Sequence, residues 1–300
     1  MTTTRARRLP FLLLSAGLIL ALAAAASADA PDVRRPGEPM ILPMELGATE
    51  RAQVLDRARA LTGALGIPGA AAEPHRAFEA LDRVVVDEVE VRDGDGRATA
   101  VIRTDAGRGD VRSLVRLDWS HDADRALVDE RTVPGYARRF AMLAGITTPD
   151  APPGVDWDDA MRAWRVSWSR TIDGFPVAGD GLTVWVYRGG QLAALKRIET
   201  PAASAPLVRV APELALEAAR GWAVHAGIPA QALAVTGAPE LTWVRPNDFV
   251  TRGGADDTEA GLRLVFRIEL EIRPVGGALQ RVILFVDAGT GALVGGAESA

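Results

Sequence analysis

The histidine and cysteine content of this 300-residue chain limits the chemistry it can perform. There is no cysteine, which removes thiol nucleophiles, disulfides and thiolate metal sites together. His75, His121 and His225 lie far apart, and none has a second histidine four residues away, as the helix of a zinc peptidase requires. No nucleophile elbow, phosphate loop or dinucleotide glycine motif occurs. We therefore expect no metal and no other cofactor, and we predict that the protein is not an enzyme.

Acidic clusters are the remaining places where side chains could do chemistry. Residues 118–124 contain three aspartates and a histidine, and residues 93–96 read Asp-Gly-Asp-Gly. Neither matches the twelve-position calcium loop with its closing glutamate, so both are interpreted as turns at strand ends. A site at His121 and Asp122 belongs to an alternative that stays open, an enzyme of unrecognised type. Residues 156–159, Asp-Trp-Asp-Asp, are predicted to be a helix start or a solvated link.

Aromatic side chains offer a candidate binding surface. Trp164 and Trp168 share a strand face with apolar neighbours and are predicted to be core. Trp185 and Tyr187 lie on the opposite face of their strand, and Phe175 lies at the adjacent turn. These three residues are the predicted binding surface. An exposed edge strand could also take an extended peptide by strand addition.

The N-terminus has the order of a secretory signal peptide. Arginines at positions 5, 7 and 8 precede an uncharged run over residues 11–26, and Ala28 and Ala30 supply the small residues of a cleavage site. The run would be about 24 Å long as a helix, against about 30 Å for a hydrocarbon core. We predict residues 1–30 to be a cleaved signal and the mature protein to be secreted or periplasmic. An uncleaved membrane anchor is the alternative.

The charge balance argues against nucleic acid as a partner. The full chain carries −5, and cleavage after Ala30 removes three arginines and one aspartate, which makes the mature chain −7. An acidic protein lacks the basic footprint that phosphate backbones attract.

Three segments have the pattern of amphipathic helices, and each ends in Ala/Leu-Gly-Ile. The first begins at Thr49, the second includes Tyr136, Phe140 and Leu143, and the third begins at Pro212. Gly66, Gly145 and Gly227 follow them at separations of about 80 residues, as left-handed helix stops would.

Strand patterns follow each helix. Apolar and polar residues alternate along 88–92, 115–119, 164–169, 182–187 and 262–273, which favours antiparallel strands with one covered face. The prediction is an α+β fold of three repeated units, each a helix packed on an antiparallel meander. The predicted segments are an extended lead-in over 31–47 and units over 48–125, 126–205 and 206–300.

Two stretches resemble known families. Residues 168–192 resemble the propeptide domain of thermolysin- and fungalysin-type metallopeptidases, in which a strand ends at a Gly-x-Pro-Val turn; the turn here contains Asp173, Gly174 and Pro176. Residues 282–294, with the third helix before them, are similar to a PepSY domain, whose last hairpin carries an Asp-Ala-x-Thr-Gly turn. That turn contains Asp287, Gly289 and Gly291. All six residues are interpreted as structural.

The resemblance implies a PepSY/cystatin-like fold and a role in binding rather than catalysis. In those peptidases the two domains precede a catalytic domain, whose His-Glu-x-x-His motif is absent from this chain. We expect an exported protein that binds another exported protein or an extended peptide, with a metallopeptidase as the partner that the resemblance suggests. An envelope-associated structural module, held at the membrane by an uncleaved N-terminus, is the alternative from another class.

The signal peptide gives a direct prediction. Mass spectrometry of the native protein should find a chain that begins at Pro31, because the small residues at Ala28 and Ala30 fit signal peptidase. A mass that includes residues 1–30 would favour the anchored alternative.

Overall fold

The helices form where the sequence predicts them. The structure, a computed structural model, describes residues 41–79, 84–118, 121–200, 202, 208–247, 261–273 and 278–299. Its α-helices are α1 (Ala48–Leu65), α2 (Val133–Leu143) and α3 (Pro212–His225). Gly66, Gly145 and Gly227 have φ values of 63°, 73° and 88°, so all three act as left-handed stops.

The strands outnumber the helices, and short 3-10 helices lie at His121–Asp124 and Ala230–Ala232. In chain order the strands of the described residues are β1 (Ile41–Met44), β2 (Ala70–Ala71), β3 (His75–Glu79), β4 (Val84–Arg92), β5 (Ala98–Asp105), β6 (Val111–Arg116), β7 (Gly154–Asp158), β8 (Ala163–Ile172), β9 (Phe175–Tyr187), β10 (Leu192–Ile198), β11 (Leu233–Val235), β12 (Glu240–Val244), β13 (Arg263–Ile272), β14 (Gln280–Asp287) and β15 (Leu293–Ser299). The predicted α+β class is confirmed.

The first ten strands build one antiparallel sheet, the N-terminal sheet. Its order is β1-β3-β4-β5-β6-β10-β9-β8-β7, and the short β2 pairs with β4. Strand β6 meets β10 in the middle of the sheet, where Leu114 lies opposite Leu195. This pair joins strands that follow α1 to strands that follow α2.

Helices α1 and α2 cover the same face of the N-terminal sheet. They contact each other, and their apolar residues belong to one buried cluster with those of β4, β5, β6, β8, β9 and β10. Ala137 and Ala141 of α2 are fully buried, because alanine lets the helix lie close to the strands. Trp168 is 3% exposed within this cluster, which confirms its predicted place in the core.

The last strands form a second sheet, the C-terminal sheet, in the order β12-β13-β14-β15, with β11 also paired to β13. Helix α3 packs on it through Ala215, Ala219 and Ala223, which share one helix face and are fully buried. The sheet supplies leucine, isoleucine and valine from alternate positions. The third predicted helix therefore has its own core.

Strand β9 links the two sheets. Its C-terminal half pairs with β10, while Val177 in its N-terminal half lies opposite Trp243 of β12 in a parallel pair. Trp243 is 1% exposed, and its indole nitrogen donates to the carbonyl of Ile172 at 3.1 Å. Ile172, Phe175 and Val177 lie in the core of the C-terminal sheet, so the tip of the β8–β9 hairpin packs there, away from the rest of the hairpin.

Three local predictions are corrected. Within residues 156–159, predicted to be a helix start or a solvated link, the first three residues belong to the edge strand β7, and Asp156 binds Arg165 across the strand pair at 2.7 and 2.8 Å. Ile41–Met44 of the predicted lead-in form β1, paired with β3. Strand β6 ends at Arg116, so Leu117 lies beyond it with 43% exposure; Trp119 and residues 1–40 lie outside the described residues.

No helix in the part of the chain that the structure describes is long and apolar enough to cross a membrane. The predicted unit boundaries at 125/126 and 205/206 stay predictions.

Two glycines of the β8–β9 hairpin should respond differently to alanine. Gly174 has φ 84° and open space around it, so G174A should lower the free energy of unfolding by about 1 kcal/mol. Gly181 has φ 140°, and an added Cβ would lie 2.1 Å from the carbonyl oxygen of Trp168. G181A should therefore cost more than about 2 kcal/mol, measured by urea unfolding. Equal effects of the two substitutions would contradict the close strand approach at Gly181.

Candidate functional site: a cleft between α1 and α2

A row of polar side chains crosses the helix-covered face of the N-terminal sheet. Arg76 of β3 lies opposite Asp87 of β4, and Asp87 lies opposite Thr104 of β5. The neighbouring positions of this face, Val89 and Ile102, are buried and apolar. A polar row in this place must be paired or it destabilises the fold.

The carboxylate of Asp87 is paired by arginines. Asp87 is 1% exposed, and it accepts hydrogen bonds from Arg76 Nε at 2.7 Å and Nη2 at 3.2 Å. Arg57 of α1 places Nη2 3.6 Å from the second carboxylate oxygen. The hydrogen bonds that Arg76 donates to Asp87, and then to Glu50, raise the pKa of Arg76 above its usual value. Helix α1 is thus held to the sheet by charge as well as by packing.

Two polar atoms beside this ion pair lack a partner. Thr104 is 7% exposed, and its hydroxyl makes no hydrogen bond; the same holds for Nε of Arg57. They are two of four such buried atoms among the described residues, the others being on Trp168 and Gln191. A buried unsatisfied group costs about 1–3 kcal/mol. Arg57 and Thr104 line the same cavity.

That cavity is a cleft of about 420 Å³ between the two helices. Its walls are Val54, Ala58 and Leu61 of α1 and Leu143 at the end of α2. Strands β4, β5 and β6 form the floor, on which Asp87 and Thr104 lie. Ala60 and Ala64 line it and are exposed, so the cleft opens to solvent along α1. Its size is in the range of about 300–1,000 Å³ that ligand sites occupy.

The lining of the cleft is mainly apolar, with polar side chains from Arg57, Asp87 and Thr104. The carboxylate of Asp87 already accepts hydrogen bonds from Arg76. This lining suits a group with an apolar body and one oxygen acceptor, because Nε of Arg57 can only donate and the Thr104 hydroxyl can donate.

The predicted aromatic residues are not brought together in one surface. Phe175 packs in the C-terminal core, whereas Trp185 and Tyr187 lie in a small cluster on the helix-free face of the N-terminal sheet. Tyr187 is 6% exposed, and burial raises its pKa. Trp185 donates to Asp158 at 2.9 Å. The separation follows from strand length, since the twelve residue steps from 175 to 187 span about 40 Å.

The predicted turn residues lie in turns. Asp173 and Gly174 have φ values of 52° and 84° between the paired residues Ile172 and Phe175, as in a two-residue hairpin loop of type I′. The carbonyl of Pro176 accepts a hydrogen bond from Thr242.

The second turn is organised by a carboxylate. Asp287 accepts from the amides of Gly289 and Thr290 at 2.9 and 2.8 Å and from the Thr290 hydroxyl at 3.0 Å. Gly291 has φ 76°. Ala28 and Ala30 lie outside the described residues.

The acidic clusters form no metal site in the described part of the chain, where no group of three or more candidate ligands comes together. One oxygen of Asp93 accepts from the amides of Asp95 and Arg97, which is turn chemistry. The side chains of His121 and Asp122 lie outside the described residues.

The alternation of β4 is a sequence signal for one residue of the cleft. Asp87 is in step with Val89 and Val91 in the alternation of β4, so its carboxylate had to lie on the buried face. The arginines and Thr104 that accompany it come from other elements, and only the strand register shows them to be neighbours.

Comparison with known proteins gives a distant structural likeness. No protein-family model matches the chain, and no curated protein matches it in sequence. Among solved structures, it is similar to the Bacillus megaterium YpeB C-terminal domain with a TM-score of 0.43 and 11% sequence identity. The match covers 85% of this chain and 99% of that one.

Thr104 and Asp87 should differ in their effect on stability. T104V replaces an unpartnered hydroxyl with a methyl group, so we expect the free energy of unfolding to stay constant or to rise by up to about 1 kcal/mol. D87N breaks a buried ion pair and should cost about 3 kcal/mol. Urea unfolding at neutral pH measures both. A loss of more than about 1 kcal/mol in T104V would show that the hydroxyl is already bonded in the free protein.

Proposed function

We propose that the protein is an exported, non-enzymatic binding protein whose α1–α2 cleft takes an apolar side chain from an extended segment of another exported protein. The observation that carries this proposal is the unpartnered pair at the cleft, Thr104 Oγ1 and Arg57 Nε. An extended segment presents one apolar side chain and a backbone carbonyl close together. The side chain fills the apolar walls, and the carbonyl accepts from Thr104 Oγ1 and Arg57 Nε once these side chains turn toward the cleft, because neither atom reaches solvent in the free protein.

A peptide makes more favourable contacts with the lining of this cleft than water does. Ordered water needs two to four polar partners, and the walls formed by Val54, Leu61 and Leu143 offer none from their side chains. A peptide removes the same apolar surface from water, which is favourable by about 25 cal/mol per Å².

The family resemblance of residues 160–300 supports a secreted metallopeptidase as the partner that this protein restrains or assists. It also supports a PepSY-type origin for the segments. After each helix, four consecutive strands pair in chain order: β3–β6 after α1, β7–β10 after α2 and β12–β15 after α3. We propose that the three segments are copies of one helix-and-meander unit, two of which share a sheet.

Blocking the cleft should abolish binding. Ala64 lines the cleft, so A64W should weaken binding of a secreted metallopeptidase from the same cells at least about tenfold, because the indole occupies the space of the guest. The matched control is A52W, since Ala52 is exposed on the same helix and does not line the cleft. Biolayer interferometry with the mature protein measures the affinities.

A small-molecule probe tests the cleft as a binding site independently of which protein is the partner. Anilinonaphthalene sulfonate has an apolar body and an acceptor, so it should bind the wild type and A52W at one site and lose that site in A64W. Equal probe and peptidase binding by A64W and wild type would overturn the cleft as the site. Probe binding without any peptidase binding or altered proteolysis would overturn the peptidase as the partner.

A further inference from the structure

A second polar row crosses the helix-free face of the N-terminal sheet. Ser113 of β6 lies opposite Lys196 of β10, Lys196 opposite Thr183 of β9, and Thr183 opposite Ser167 of β8. Three hydroxyls and one ammonium thus lie side by side on four adjacent strands. This row is on the other side of the sheet from the α1–α2 cleft.

The row ends in a concave part of the surface, the crease, where β9 passes from one sheet to the other. Gly179 and Gly181 have φ values of 79° and 140°, and the pairing of β8 with β9 shifts register between Ser169 and Thr171. The bend opens a cavity of about 330 Å³. Ser167, Thr183, Lys196 and Ile198 line it from the N-terminal sheet, and Thr242 lines it from β12.

The charge of the crease comes from Lys196. The carboxylate of Asp180, which also lines the crease, is neutralised by Arg170 at 3.1 Å and accepts from the amide and hydroxyl of Thr200 at 2.6 and 2.9 Å. Lys196 is exposed and forms no ion pair or hydrogen bond with any residue the structure describes. The crease is therefore positive by one charge, within a chain whose net charge is negative.

We propose that the crease binds a carboxylate group, with Lys196 as its counter-ion. A monoanion matches the single ammonium, whereas a phosphate dianion would leave one charge uncompensated. The hydroxyls of Ser167 and Thr183 supply donors beside the ammonium. Ile198 and Val177 line the same cavity and can contact a short alkyl group next to the carboxylate. The carboxylate is that of a small organic acid or the C-terminus of a peptide.

The chain offers an unusually clean probe, because Lys196 is its only lysine. Lysine labelled with ¹³C at Cε gives one lysine side-chain resonance in the full mature protein. The resonance should shift and saturate on titration with butyrate or with the peptide Ala-Ala-Val-Ala bearing a free carboxylate. A peptide with the same sequence and a C-terminal amide should not shift it. If butyrate and the free peptide differ, the tighter of the two identifies the source of the carboxylate.

Substitutions test the counter-ion. K196Q should weaken binding of the free peptide, measured by isothermal titration calorimetry, about tenfold or more, and K196R should retain most of it. A64W in the cleft should leave this binding unchanged, so failure here is separate from failure of the proposed function. Equal binding of acid and amide, equal binding by K196Q and wild type, or no shift with any carboxylate would overturn the proposal.

Discussion

The pairing of β6 with β10 determines the layout of the N-terminal sheet and of both proposed sites. These strands follow different helices, and their contact at Leu114 and Leu195 merges two meanders into one sheet. Because each helix covers its own meander, the merger brings α1 and α2 side by side over a common core. The cleft is the space left between them. On the opposite face the same strand pair places Ser113 next to Lys196, so both proposed sites depend on it.

Buried polar groups in the described part of this fold divide into satisfied and unsatisfied ones. Asp180 has three partners that tie β9 to residue 200, which is what a structural carboxylate requires. Asp87 likewise accepts two hydrogen bonds from Arg76. Thr104, directly opposite Asp87 in the sheet, has none. In the proposed complex, the guest supplies the hydrogen-bond acceptor that Thr104 lacks.

The local structure could be predicted from the sequence, and the long-range pairing could not. Helix endings at Gly66, Gly145 and Gly227 and the alternation of β9 and β13 are local patterns, and the structure confirms them. No local sequence pattern shows that β6 pairs with β10, or that β9 is long enough to pair with strands of both sheets. The predicted aromatic residues do not form one surface because β9 is long, and Phe175 and Tyr187 lie at its opposite ends. The prediction of a helix start or solvated link within residues 156–159 was wrong, because an edge strand that contains aspartates has the composition of a solvated link.

The proposed complex places a peptide carbonyl beside Thr104 in the cleft. A crystal structure of the protein with a bound partner segment tests this most directly. We expect an apolar side chain between α1 and α2 and a carbonyl oxygen within about 3.2 Å of Thr104 Oγ1. A cleft that holds only water bonded to Thr104, with the segment bound elsewhere, would contradict it.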